Sequence, residues 1–120
     1  MSLGSLSLIL VSVTLSALAQ IAFKFGVSSE PRQWTQAAYG PLAKLLTPGV
    51  LFGLACYAIG TLLWLTALGR VELSQAYPFV GIGFVLTTLA GWWLFGDLVS
   101  MQRLAGIALV VAGIVLVARS

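Results

Sequence analysis

Leu3–Gly26, LGSLSLILVSVTLSALAQIAFKFG, is an apolar run broken at even intervals by Ser12, Ser16, Gln20 and Lys24. At about 1.5 Å per residue a helix of this length crosses a hydrocarbon core of about 30 Å. Residues four apart lie one above the other on an α-helix, so the four polar side chains share one slowly rotating stripe. Lipid satisfies neither a hydroxyl, an amide nor an ammonium. The stripe is therefore predicted to face a helix bundle or a hydrated cavity. For Ser12 and Ser16 the competing reading is structural, a hydroxyl bonded to its own backbone or easing close packing. For Lys24 it is snorkelling from the helix end to the interface.

The rest of the chain has the same character. Of 120 residues, 60% are hydrophobic and 8% charged, with a mean hydropathy of +1.08. That composition belongs to an integral membrane protein. The length suits one small domain, predicted as residues 1–120. There is no His and one Cys, which excludes a histidine-ligated metal, a Ser-His-Asp triad and an internal disulfide. Cys56 sits in an apolar run and reads as a small buried hydrophobe. The six basic residues are scattered singly; they mark membrane boundaries and do not form a nucleic-acid patch. Neither a cofactor nor a metal site is predicted.

Four apolar segments follow from the pattern, giving an all-α fold of four transmembrane helices. The first, Leu3–Gly26, lacks the basic start of a signal peptide and has too long an apolar run for one, and is read as retained. Val27–Pro48 is the one sizeable polar connection. It carries Glu30, Arg32 and Lys44, and its prolines permit a short interfacial helix over Pro31–Tyr39, anchored by Trp34 and Tyr39. The second segment, Gly49–Leu68, places Gly53, Gly60 and Ala67 along one face for close helix contact. The tight connection Gly69–Glu72 makes the third segment, Leu73–Phe95, its antiparallel neighbour. Pro78, Gly81 and Gly83 mark this third helix as the one that bends, or else its glycines allow close packing. The fourth, Met101–Ala118, presents Ala105, Gly106 and Gly113 and almost nothing polar, the pattern of a dimer contact.

All three acids, Glu30, Glu72 and Asp97, fall in connections or at helix ends. A proton-coupled exporter of cationic drugs would need a membrane-embedded acid, so this chemistry is disfavoured. What remains is basic or neutral-polar: Lys24, Gln20, Ser16, Ser12 and Tyr77, with Arg70 and Arg103 at the boundaries. Lysine suits a phosphate, and Gln and Ser suit sugar hydroxyls. The rings of Trp64 and Tyr77 suit a sugar face, whereas the Trp92-Trp93 pair suits interfacial anchoring. A strongly cationic sugar is disfavoured by the missing mid-membrane acid.

Across nearly its whole length the chain resembles the four-helix small multidrug resistance-like proteins of the drug/metabolite transporter superfamily. The residues that carry the likeness are Phe23-Lys24-Phe25, Ala76-Tyr77, Phe95-Gly96-Asp97 and Gly106 to Gly113. The essential first-helix glutamate of the drug exporters falls on Ser16. In its Ser16, Gln20, Lys24 spacing and in Ala76-Tyr77-Pro78 the chain is more similar to the small flippase subunits that move undecaprenyl phosphate–aminoarabinose across the bacterial inner membrane. The resemblance implies a multi-pass inner-membrane transporter of a polyprenyl phosphate-linked monosaccharide for cell-envelope glycan or lipid A modification. It implies no enzymatic activity, and a working unit that is a homodimer or a heterodimer with a paralogue. Two alternatives are an exporter of small cationic or polar solutes and a non-transporting helper subunit of a membrane complex.

The basic residues also predict an orientation. Lys24, Arg32, Lys44 and Arg103 group at one membrane face against Arg70 and Arg119 at the other, which places the first group in the cytoplasm and both termini outside. Single cysteines introduced at Ser2 and Ser120 are expected to react with an impermeant thiol reagent from outside. Labelling only from the cytoplasmic face would invert the orientation.

Overall fold

A computed structural model describes residues 2–28 and 47–120. Glu30, Arg32, Lys44 and the expected interfacial helix with Trp34 and Tyr39 lie outside the described residues. The elements are α1 (Leu3–Ser28), α2 (Pro48–Leu68), α3 (Leu73–Ala76), a 3-10 turn (Tyr77–Phe79), α4 (Val80–Leu94) and α5 (Met101–Arg119). All regular structure among the described residues is helical. Four stretches are long and apolar enough to cross a membrane: α1, α2, the composite Leu73–Leu94 and α5. The protein is thus an all-α membrane bundle.

Local chemistry sets the helix ends. Thr47 caps α2, its Oγ1 accepting from the Val50 N–H at 3.4 Å, and Pro48 takes the first helical position, where its missing N–H costs nothing. Ser100 caps α5 by accepting from the Arg103 N–H at 3.1 Å. The end of α4 needs a left-handed residue, and Gly96 supplies it with φ +70. The turn lets the Asp97 N–H donate back to the Gly91 carbonyl at 2.9 Å. The α-helical ladder of the third span is interrupted at Pro78, which has no N–H to contribute, and Tyr77–Phe79 tighten into the 3-10 turn.

α1 is the central helix. Antiparallel α2 lies along most of its length, and α4 packs on a neighbouring face; α2 and α4 scarcely touch each other. The hairpin at Gly69–Glu72 therefore joins two helices that meet near their connection and then diverge. Along α1·α2 the seam is made of small residues. A methyl group on Gly49 would lie 2.9 Å from the Gly26 Cα, and one on Gly53 would lie 2.7 Å from the Phe23 ring. One on Gly60 would lie 3.2 Å from the Ser12 carbonyl oxygen. Gly53, Cys56, Gly60 and Ala67 are all buried here. Within the seam the Ser12 Oγ donates to the Gly60 carbonyl at 2.7 Å.

Large apolar side chains, among them Leu62, Trp92, Trp93 and Leu116, point outward. An apolar cluster of Ile9, Val13, Ala67, Ala76, Phe79 and Ile114 ties all four spans together. α5 is peripheral, Ile114 being its one buried residue. The starts of α1 and α3 and the ends of α2 and α5 converge at one end of the bundle, hereafter the terminal end. Lys24, Thr47 and the Gly96–Ser100 connection lie at the other, where the Phe25 and Phe95 rings sit 4.8 Å apart.

The seam yields a stability test. Gly49→Ala adds a methyl group where backbone already stands and is expected to lower the unfolding free energy by about 1–3 kcal/mol. Ser12→Ala should cost about 1 kcal/mol. Gly4→Ala, whose added methyl group would come no closer than 4.0 Å to a neighbouring side chain, should cost nothing. Detergent-mixture unfolding followed by circular dichroism measures all three, and a neutral Gly49→Ala would refute the seam.

Candidate functional site

Because α2 and α4 diverge while both pack on α1, a groove of about 560 Å³ opens between them. Each span supplies one stripe of its lining. α1 contributes Ser12, Val13, Ser16, Ala17 and Gln20; α2 contributes Tyr57, Thr61 and Trp64. The third span contributes Tyr77 from the 3-10 turn, then Val80, Gly83, Phe84 and Thr87. These stripes follow helical spacing, so each span turns one face to the groove. α5 contributes nothing.

The lining carries hydroxyls, an amide, an indole and two phenols, and no carboxylate, ammonium or guanidinium among the described residues. Trp64 and Tyr77 meet edge to face with ring centroids 6.5 Å apart, joining α2 to the third span. Tyr57, Tyr77 and Phe84 are exposed and form the rim. The polar groups differ in their availability. Ser12 is buried and commits its proton to Gly60. Thr87 donates to the Phe84 carbonyl at 3.1 Å. The side chains of Ser16, Gln20, Tyr57, Thr61 and Tyr77 have no hydrogen-bond partner among the described residues. A ligand with several hydroxyl groups finds donors and acceptors there on three sides.

The structure brings together five of the six residues read from the sequence as substrate-binding: Ser12, Ser16, Gln20, Trp64 and Tyr77. Lys24 is exposed and does not line the groove; it stands one helical turn beyond Gln20 on the same stripe. Of the residues read as a hinge, Pro78 sits in the 3-10 turn and Gly83 lines the groove. Gly81 packs on α5, where an added methyl group would lie 2.6 Å from Val110 Cγ1. Of those read as a dimer contact, Gly106 and Gly113 have nothing within 4 Å of an added methyl group, and Ala105 is exposed.

Sequence reasoning missed Tyr57, Thr61 and Thr87. For the first two a signal existed, since Tyr57, Thr61 and Trp64 form an i, i+4, i+7 stripe, but that helix was read for its small residues alone. Thr87 gave no pattern. Among the described residues no group of three or more His, Cys, Asp or Glu side chains assembles. The site is built for binding and for shielding a polar group from lipid.

The chain has relatives that place it. The sequence profile of the EamA-like transporter family matches residues 2–119. A protein of Pseudomonas aeruginosa (strain UCBPP-PA14), named probable 4-amino-4-deoxy-L-arabinose-phosphoundecaprenol flippase subunit ArnE, is 39% identical over 117 residues, covering 97% of this chain and 98% of that protein. The protein of the same name from Pseudomonas savastanoi pv. phaseolicola (strain 1448A / Race 6) is 36% identical over 107 residues, covering 89% and 90%. Uncharacterized protein y4nH of Sinorhizobium fredii (strain NBRC 101917 / NGR234) is 38% identical over 92 residues, covering 72% and 79%. No solved structure matches.

Proposed function

The chain belongs to the EamA-like transporter family and is a multi-pass transporter of the bacterial inner membrane, and on that premise we propose that it is a subunit of a flippase for a polyprenyl phosphate-linked monosaccharide. The observation that carries this reading is the groove, whose lining among the described residues offers unpartnered hydroxyl and amide groups and no charge. The relatives named as flippase subunits for a phosphoundecaprenol-linked sugar support it.

An unpaired charge costs many kcal/mol in hydrocarbon, and a sugar's hydroxyls add to that penalty. In this reading the sugar enters the groove and exchanges water for Ser16, Gln20, Tyr57, Thr61 and Tyr77. The Trp64 ring offers an apolar face to the sugar's C–H groups. The phosphate stays near Lys24, one turn beyond the groove, and the polyprenyl chain remains in the bilayer. The 3-10 turn at Tyr77–Phe79 is where the third span has fewest α-helical bonds to lose. Bending at Pro78, with Gly83 on the groove face, opens the groove to alternate sides, as alternating access requires.

Substitution of Lys24 tests the phosphate contact. In native mass spectrometry with undecaprenyl phosphate–4-amino-4-deoxy-L-arabinose, Lys24→Ala should reduce lipid binding at least about tenfold, and Lys24→Arg should keep part of it. Equal binding by wild type and Lys24→Ala would remove Lys24 from the site. No binding of any polyprenyl phosphate sugar by the wild type would refute the flippase reading.

The working unit is two chains, this one with its copy or with a paralogue, and α5 forms the contact. Its small residues Ala105, Gly106 and Gly113 lie on a helix that buries one residue in the bundle. In lipid such helices associate through close packing. Gly106→Leu and Gly113→Leu should each shift the protein toward monomer in single-molecule photobleaching at low density in bilayers. Unchanged dimer fractions would place the contact elsewhere.

A further inference from the structure

A second cavity, of about 810 Å³, lies at the terminal end and takes no part in the groove. Ser2, just before α1, and Ser5 in its first turn line it, with Arg70 and Glu72 from the hairpin and Ser74 and Gln75 from α3. Val117 and Ser120 close it from the end of α5. Its makeup is the reverse of the groove's, because among the described residues its side chains include one guanidinium and one carboxylate beside hydroxyls. The side chains of Arg70, Glu72, Ser74 and Gln75 have no hydrogen bond or ion pair among the described residues. Both charged residues are exposed.

The two cavities are stacked along the same helices. On α1, Ser5 lines the terminal cavity, Ile9 and Val13 belong to the apolar cluster, and Ser16 and Gln20 line the groove. Ser5 and Ser16 are about 16 Å apart along the axis. On the third span Gln75 lines the terminal cavity, Ala76 and Phe79 turn into the cluster, and Tyr77, Val80 and Phe84 line the groove. A polar compartment thus stands at the end of the bundle opposite Lys24, with one apolar layer between it and the groove.

The charges say what fits. A ligand bearing only phosphate gains Arg70 and is repelled by Glu72, and one bearing only an amine meets the converse. A headgroup with both satisfies each in a charge-assisted bond, and Ser74 and Gln75 remain for hydroxyls. Among the described residues the groove has no acid to hold an ammonium, so its recognition falls to this cavity. Resting on the flippase reading above, we propose that the terminal cavity is a second headgroup site, for a lipid-borne amino-sugar phosphate, where Arg70 takes the phosphate and Glu72 the ammonium. The headgroup occupies it at the end of passage opposite Lys24. The apolar cluster is the layer that must part between the two stations.

Photocrosslinking of the full-length chain in proteoliposomes tests this. A benzoylphenylalanine replaces Ser74 to report on the terminal cavity, Thr61 to report on the groove, or Leu116 to report on the outward face. The probe is radiolabelled undecaprenyl phosphate–4-amino-4-deoxy-L-arabinose, beside its N-acetylated form, which keeps the phosphate and loses the ammonium. Labelling at position 74 is expected to exceed that at 116 about tenfold, and N-acetylation should reduce it about tenfold. Glu72→Gln should abolish that difference. Arg70→Gln should weaken labelling by both lipids and Arg70→Lys restore part of it, while labelling at position 61 persists and reports a folded protein. Labelling at 61 without labelling at 74 overturns the second site and leaves the groove standing. Background labelling at both positions refutes the flippase reading and the second site with it. Equal labelling at 74 by both lipids in the wild-type background overturns amine recognition. Displacement from position 74 by equimolar inorganic phosphate overturns the assignment to a lipid headgroup.

Discussion

The close approach of α1 and α2 is the constraint on which the rest of the molecule depends. Two helices can lie with backbone nearly in contact only where one presents no side chain. Gly49, Gly53 and Gly60 provide that from the start of α2 to just past its middle, against Gly26, Phe23 and Ser12. In hydrocarbon no water is released by burying apolar surface, so dispersion between closely fitted backbones and an occasional hydrogen bond must hold helices together. The Ser12–Gly60 bond at 2.7 Å is such a bond. It forms at a point where the approach is close enough for a short side chain to reach the opposite backbone.

That seam also positions the groove. With one face of α1 occupied by α2, the neighbouring face receives α4, and the angular gap between the two partners is left open. Ser16, Gln20, Tyr57, Thr61 and Tyr77 project into the gap because they sit beside the seam and not in it. Where α2 and the third span come together again, near their hairpin, the Trp64–Tyr77 ring contact and the apolar cluster close the bundle. The same residues therefore divide the neutral groove from the charged terminal cavity. The charge distribution obeys the cost of burying ions in lipid: among the described residues every charged side chain lies near an end of the bundle, and the middle is served by uncharged polar groups.

The third span differs from the others in having a built-in interruption. A straight helix from Leu73 to Leu94 would hold one wall of the groove rigid. Pro78 removes one ladder bond and the 3-10 turn carries the change of winding, close to both the groove and the apolar layer. A small change of angle there alters the gap between the two compartments, and this links the local backbone chemistry to the motion that transport of a bulky headgroup demands.

Composition and hydropathy by themselves determined the membrane location, the four spans and the all-α class, because continuous apolar runs of bilayer length, without the alternation of a barrel strand, satisfy their backbone in lipid as helices. The i, i+4 stripe on the first helix was equally legible, since a polar side chain in a lipid-length helix needs a protected face whatever the fold. Only the tertiary structure decided how those polar residues divide. Ser12 and Ser16 look alike in sequence and both line the groove, yet Ser12 commits its proton to the Gly60 backbone while the Ser16 hydroxyl has no partner among the described residues, a difference set by the rotation of α1 against α2. Lys24 shares the stripe and falls outside the lining, because the groove ends one turn earlier. Tyr57 and Thr61 were readable as a stripe but not as a partner to Gln20, and the terminal cavity combines three chain segments far apart in sequence. Helical periodicity specifies which residues share a face; which faces meet depends on how closely backbones can approach, and that is settled by packing between segments distant along the chain.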